Sequence, residues 1–176
     1  MTTYSTGEHT KRKIINAAGE LAAELGLDNV STRAIAEASG ENIGSIHYHF
    51  GSKEGLFEAV VQDAIGCCQI KLDDEAMDQL GDSPTREALS RAVRGIVERE
   101  INDLFRSKRP LWHSLLIYRL LQRDDALSQM FHDQVLDPGM RCMVRFFGLV
   151  DPGLSREEAF LHTIILKMPI FAHTNY

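Results

Sequence analysis

The sequence predicts an all-α protein, and three observations carry that prediction. Apolar residues recur at helical spacing along most of the 176 residues. Ser or Asn stands where several of those runs open, and Gly or Pro stands where they close. No alternating polar and apolar stretch of useful length points to a strand.

The first helix carries Ile14, Ile15, Ala18, Leu21, Ala22 and Leu25 at the spacing of a half-buried face, and Gly26 ends it. Ser31 caps a second helix that turns Ile35, Ala36 and Ala38 inward. "SGEN" breaks it at Gly40, and Asn42 caps a third helix that runs to about Phe50. "GSK" is the next break. Ser52 then caps a long fourth helix whose stripe passes through Leu56, Phe57, Val60, Val61, Ala64, Ile65, Cys68, Leu72 and Met77. Gly81 and Pro84 close it. Ser83 and Pro84 form a cap and first-turn pair for a fifth helix, with Leu89, Val93, Ile96, Val97, Ile101 and Leu104 on one face. A sixth runs from Pro110 through Leu121. A seventh spans roughly 127–147, disturbed at Asp137 to Gly139, and Ser155 with Glu158 makes a capping box for an eighth. The change from short helices to long ones near residue 53 predicts a small N-terminal domain over 1–52. A larger helical bundle over 53–176 follows, expected to be truncated at its C-terminus.

Composition excludes several classes. No run of about 18 apolar residues predicts a membrane span, and the polar start lacks a signal-peptide core. Three cysteines (Cys67, Cys68, Cys142) give neither a disulfide framework nor zinc spacing, which fits a cytoplasmic protein. Net charge is −6, and residues 1–53 hold five Lys/Arg against six Asp/Glu. Bulk charge therefore repels phosphate, so any nucleic-acid binding must rest on a few placed cations: the Lys11–Lys13 cluster, Arg33 and Lys53.

Two short helices joined by a tight turn are the helix-turn-helix arrangement, in which the second helix enters the major groove. In the third helix Ile43, Ile46 and Phe50 are expected to pack inward, with Gly44, Ser45, Tyr48 and His49 on or beside the opposite face. Gly44 permits close backbone approach, Ser45 offers a hydroxyl, and Tyr48 can stack or donate. Lys53, at a helix N-terminus, can grip a phosphate.

The stretch "GLDNVSTRAIAEASGENIGSIHYHFGSKEGL" (Gly26 to Leu56) resembles the DNA-binding signature of TetR-family transcriptional repressors. The matching features are Gly26, Ser31-Thr32, Ile35-Ala36, Gly44, Ile46, His49-Phe50, Ser52-Lys53 and Leu56. Two positions depart from the pattern: Glu41 replaces an aliphatic residue, and His47 an aromatic one. The resemblance implies Thr32, Arg33 and Lys53 on phosphates, and Ser45, His47, Tyr48 and His49 at or near bases. Asn42 and Gly44, at the mouth of the same helix, complete the expected DNA-binding set.

Other chemistry finds little support. His47 and His49 diverge by roughly 200° on a helix and cannot readily share an ion, so no metal is expected. Cys67-Cys68 lacks cationic neighbours that would make it a thiolate sensor. There is no Ser-His-Asp pattern, phosphate loop or HExxH, so neither an enzyme nor a cofactor is expected.

Towards the C-terminus large apolar residues mix with a few polar ones, a composition suited to an amphipathic ligand pocket. Phe105, Trp112, Tyr118, Arg119, Phe131, Met143 and Phe147 are the expected lining. The last helix, with Ala159, Phe160, Ile164, Ile165, Met168 and Phe171, resembles the two-fold interface of TetR-like proteins. The expectation is a cytoplasmic homodimeric repressor that binds double-stranded operator DNA and is released by a small-molecule inducer. The alternative is an all-α interaction module that uses the same fold without reading DNA.

Overall fold

A computed structural model describes residues 6–66, 68, 70–102 and 109–172, and all regular structure among them is helical. The elements are α1 (Thr6–Leu25), a 3-10 turn (Leu27–Asn29), α2 (Thr32–Ser39), α3 (Ile43–Phe50), α4 (Lys53–Ile65) and α5 (Ile70–Asp78). Then come α6 (Arg86–Ile101), α7 (Leu111–Leu120), α8 (Ala126–Phe131), a π-helical stretch (His132–Leu136), α9 (Asp137–Val150) and α10 (Arg156–Ala172). Contacts divide the chain into two compact units: residues 1–67 with 110–131, and residues 68–109 with 132–176.

In the first unit α1 packs against α2, α3, α4 and α7. That is why Ile14, Ile15, Ala17, Ala18, Ala22 and Ala23 are all buried, a wider face than one neighbour could cover. Gly26 ends α1 at φ 88°, with its N–H on the Ala22 carbonyl (3.0 Å). A bare α-carbon at Gly19 lets the Trp112 indole lie flat on α1; a Cβ there would sit 2.5 Å from the ring. Beside it, the buried His113 places Nε2 3.2 Å from Asp63 Oδ2 on α4.

The second unit centres on Met77, Ile96, Cys142, Met143 and Phe146, with Leu80, Leu89, Val93, Phe147 and Leu166 packed around them. Arg99 donates twice to Asp73 Oδ1 (3.0 and 2.7 Å), tying α6 to α5. Lys167 of α10 lies 3.5 Å from Glu100 of α6. Burial pushes the Cys142 thiol up to about 11, so it stays protonated at neutral pH.

Three expectations are corrected. The long fourth helix is two helices: α4 closes at Gly66, whose N–H caps Gln62, and α5 begins at Ile70. The fifth helix of the sequence is capped by Thr85, whose Oγ1 accepts from Ala88 N (3.2 Å), two residues after Ser83. The disturbance near Asp137 to Gly139 begins earlier, as the π-helical stretch that leads into Pro138. Proline lacks an N–H and its ring collides with the carbonyl four residues back, and a wider turn makes room for it. Contacts also join elements on both sides of residue 52. The buried face of α4 (Leu56, Phe57, Val60, Val61, Ala64, Ile65) joins α1, and α7 joins it too.

Among the described residues no helix is long and apolar enough to cross a membrane, and no cluster of three His, Cys, Asp or Glu could hold a metal.

Candidate nucleic-acid interface

Both short helices begin on side-chain caps. Ser31 Oγ accepts from Ala34 N (3.1 Å), and Asn42 Oδ1 accepts from Ser45 N (2.8 Å). Between them Gly40 takes φ 68°, and its N–H satisfies carbonyls at the end of α2. The tight turn therefore follows from local chemistry: a left-handed glycine, then an Asx cap two residues later.

On α3, Ile46 is fully buried and Tyr48, almost opposite on the helix, is 85% exposed. Gly44 and His47 are exposed on the same side, while Ser45 and His49 are half-buried. The Tyr48 ring meets His49 edge-on at 5.1 Å, and His49 tilts against Phe50 at 6.1 Å. Ile43, expected to face inward, is 42% exposed. Asn42 is exposed with its Oδ1 engaged in the cap.

The expected cations lie on α1, α2 and α4. Arg33 is exposed one residue inside α2, and Thr32 is half-buried at its start. Lys53 opens α4 behind the Ser52 cap (Ser52 Oγ from Gly55 N, 3.1 Å), with Nζ 5.7 Å over the Phe57 ring. Stacking on Phe57 steadies the side chain, and the residue as a whole is half-exposed. Two of the three cations in the Lys11–Lys13 cluster are engaged within the unit. Arg12 pairs with Asp63, and Lys13 lies 3.3 Å from Glu41. Glu41, a departure from the signature in the sequence, thus has a structural partner.

Sequence reasoning took Arg119 as ligand lining and did not single out Arg123, yet both brace the helices around this turn. Arg119 of α7 donates to the carbonyls of Ala23 (2.7 Å) and Glu24 (2.8 Å), satisfying the C-terminal end of α1. Arg123 forks onto Asp28 (2.6 and 3.0 Å) in the turn before α2, and holds that carboxyl below the usual carboxylate range. The arginines at spacing i, i+4 were the available signal.

The expected ligand-lining residues are not all gathered in one unit. Trp112, Tyr118, Arg119 and Phe131 belong to the first, where Trp112 and Phe131 are buried in its packing. Met143 and Phe147 belong to the core of the second. Phe105 lies outside the described residues.

Residues 14–60 match the family model described as bacterial regulatory proteins, tetR family. The chain is 33% identical over 145 residues to the HTH-type transcriptional dual regulator CecR of Shigella flexneri, covering 75% of this chain and 60% of that protein. It is 28% identical over 162 residues to the HTH-type transcriptional repressor AcnR of Corynebacterium glutamicum, covering 89% and 76%. These relatives are transcriptional regulators, not enzymes. Among solved structures, NalD of Pseudomonas aeruginosa, the secondary repressor of the MexAB-OprM multidrug efflux pump, superposes with a TM-score of 0.67 at 18% identity. That match covers 95% of this chain and 84% of NalD, and it speaks for the fold.

Proposed function

We propose, from the match of residues 14–60 to the tetR family model and the 33% identity to CecR, that the chain is a DNA-binding transcriptional repressor of that family released from its operator by a small molecule. The observation that carries the DNA-reading half is α3 itself. It is capped at both ends and anchored by the buried Ile46, and it turns Tyr48, His47 and Gly44 outward. Ser45 and His49 flank that face, Arg33 and Lys53 supply phosphate contacts, and Thr32 and Asn42 sit at the two helix starts. In this reading residues 1–52 are the reading domain and 53–176 carry induction and dimerisation. The name of AcnR as a repressor supports repression, and that of CecR, a dual regulator, is compatible with activation as well. For the inducer, the large apolar residues of the C-terminal region remain the candidates, with Met143 and Phe147 the two held in the second unit's core.

A gel shift with the DNA upstream of its own gene tests this reading directly. A sequence-specific shift that amphipathic small molecules reverse supports it. Binding indistinguishable from that to random duplex would leave an all-α interaction module as the better account.

Lys53→Ala is expected to weaken binding to specific and random duplexes by a similar factor. It should also lower the salt slope by about one phosphate contact per subunit, because a lysine at a helix start neutralises phosphate without reading a base. Titrations at several salt concentrations check this, and an unchanged slope would remove Lys53 from the phosphate contacts.

A further inference from the structure

The helix that would read DNA ends on Gly51, whose φ of 76° is a conformation that side chains other than glycine rarely adopt. Two bonds tie this glycine to His47. Its N–H donates to the His47 carbonyl (2.9 Å), and its carbonyl receives the ring at Nδ1 (3.1 Å). A carbonyl oxygen accepts and cannot donate, so Nδ1 must carry the hydrogen. In the neutral imidazole the other nitrogen, Nε2, then holds a lone pair and no hydrogen. His47 is exposed and adjoins Tyr48 on the outward face of α3.

We infer that His47 presents DNA with a hydrogen-bond acceptor of fixed polarity and recognises an exocyclic amino group in the major groove, N6 of adenine or N4 of cytosine. This rests on the DNA-reading function proposed above. Those amino groups are the donors on the major-groove edges. Guanine N7 and O6, adenine N7, thymine O4 and the phosphate oxygens are all acceptors, and each would meet Nε2 lone pair to lone pair. The hydroxyls of Ser45 and Tyr48 can rotate to donate or accept, so they carry no such restriction. Gly51 therefore does more than stop the helix. Its positive φ aims a carbonyl at the ring, and that carbonyl sets what the ring can ask of a base.

The test uses duplexes selected from a randomised library by the full chain. Each selected position is then altered atom by atom: purine for adenine or 2-pyrimidinone for cytosine removes the amino group, and a 7-deaza purine removes N7. At one position per half-site, deleting the amino group should weaken binding by the wild-type chain about tenfold and leave His47→Ala almost unaffected. Removing N7 there should cost neither protein anything. His47→Arg, which offers only donors, should become sensitive to N7 at that position. Sensitivity of the wild-type chain to N7 there would overturn the inference. So would equal sensitivity of wild type and His47→Ala to every amino deletion, or a uniform loss by His47→Ala on selected and random duplexes. If His47→Ala folds poorly, the same analogue series on His47→Arg makes the assignment to position 47, because wild-type sensitivity to the amino group alone could come from the Ser45 or Tyr48 hydroxyl. Failure to select any duplex would overturn the DNA-reading function itself, and this inference with it.

Discussion

Replacing Ile165 with glutamate is expected to leave the chain folded but monomeric, and to lower its affinity for a two-half-site operator by about 10²–10⁴-fold. The face of α10 decides this choice. Ala159 and Thr163 are buried, Ile164 is half-buried, and Leu166 packs against the second unit's core. Phe160, Leu161 and Ile165 point away from that core, and Ile165 is 70% exposed. Leu161 and Ile165, four residues apart, share one exposed helical face, with Phe160 at its flank, and such an apolar strip is what a pairing surface needs. A glutamate at an exposed helical position harms the single chain little, whereas in a paired apolar interface it becomes a buried, unpartnered charge. The consequence for DNA follows from arithmetic. With few cations free for phosphate, one reading head binds weakly, and linking two makes the second contact intramolecular. Light scattering should show the monomer, and a gel shift should show that single half-site binding survives. A variant that stayed dimeric would place the interface elsewhere, with the exposed Val150 at the end of α9 the next residue to examine.

The N-terminal helices were legible because their boundaries are written in local chemistry. Ser31, Asn42 and Ser52 each cap the helix that their residue type and position suggested, and Ser155 with Glu158 forms a reciprocal box (2.9 and 3.2 Å). Tyr48 and Gly44 on the outward face of α3 were legible for the same reason, since the buried Ile46 fixes the rotation, whereas Ile43 was read as inward and is exposed. The break between α4 and α5 was not legible from periodicity. Both helices bury a face, so the apolar stripe runs on from Ile65 to Met77 across the interruption. Gly66 was the local sign, outweighed by the pattern around it. The ligand-lining residues were hardest to read. A Trp or Phe at helical spacing looks the same whether it fills a core or lines a cavity, and Trp112 is bedded on Gly19, nearly a hundred residues away. Only three-dimensional neighbours distinguish those cases, and none of them is encoded in spacing.

The contrast between Gly55→Ala and Gly148→Ala is the second expected result. Helix propensity alone predicts the same outcome for both, since alanine is favoured over glycine inside a helix by about 1 kcal/mol. Gly148 follows that rule. It lies inside α9, a Cβ added there meets nothing within 4 Å, and the substitution should raise the melting temperature. Gly55 should reverse it. It sits in the first turn of α4, where the chain from Phe50 to Ser52 folds back tightly enough for Ser52 N to reach the Phe50 carbonyl (2.9 Å). A Cβ on Gly55 would press on that same carbonyl oxygen from closer than 3.0 Å, a separation real Cβ atoms essentially never show. The obstacle is backbone, so no rotamer change relieves it. Overpacking of this kind costs about 1–3 kcal/mol, which exceeds the propensity gain. The strain falls on the turn that sets α3 relative to Lys53. Operator affinity should therefore drop about tenfold or more, even at temperatures where the variant is fully folded, as a misplacement of about 1 Å disrupts several contacts at once. Thermal melts and gel shifts on both variants check the pair. A Gly55→Ala chain that melted higher and bound DNA unchanged would show that the α3–α4 turn is looser than its geometry implies, and that Lys53 is positioned by other contacts.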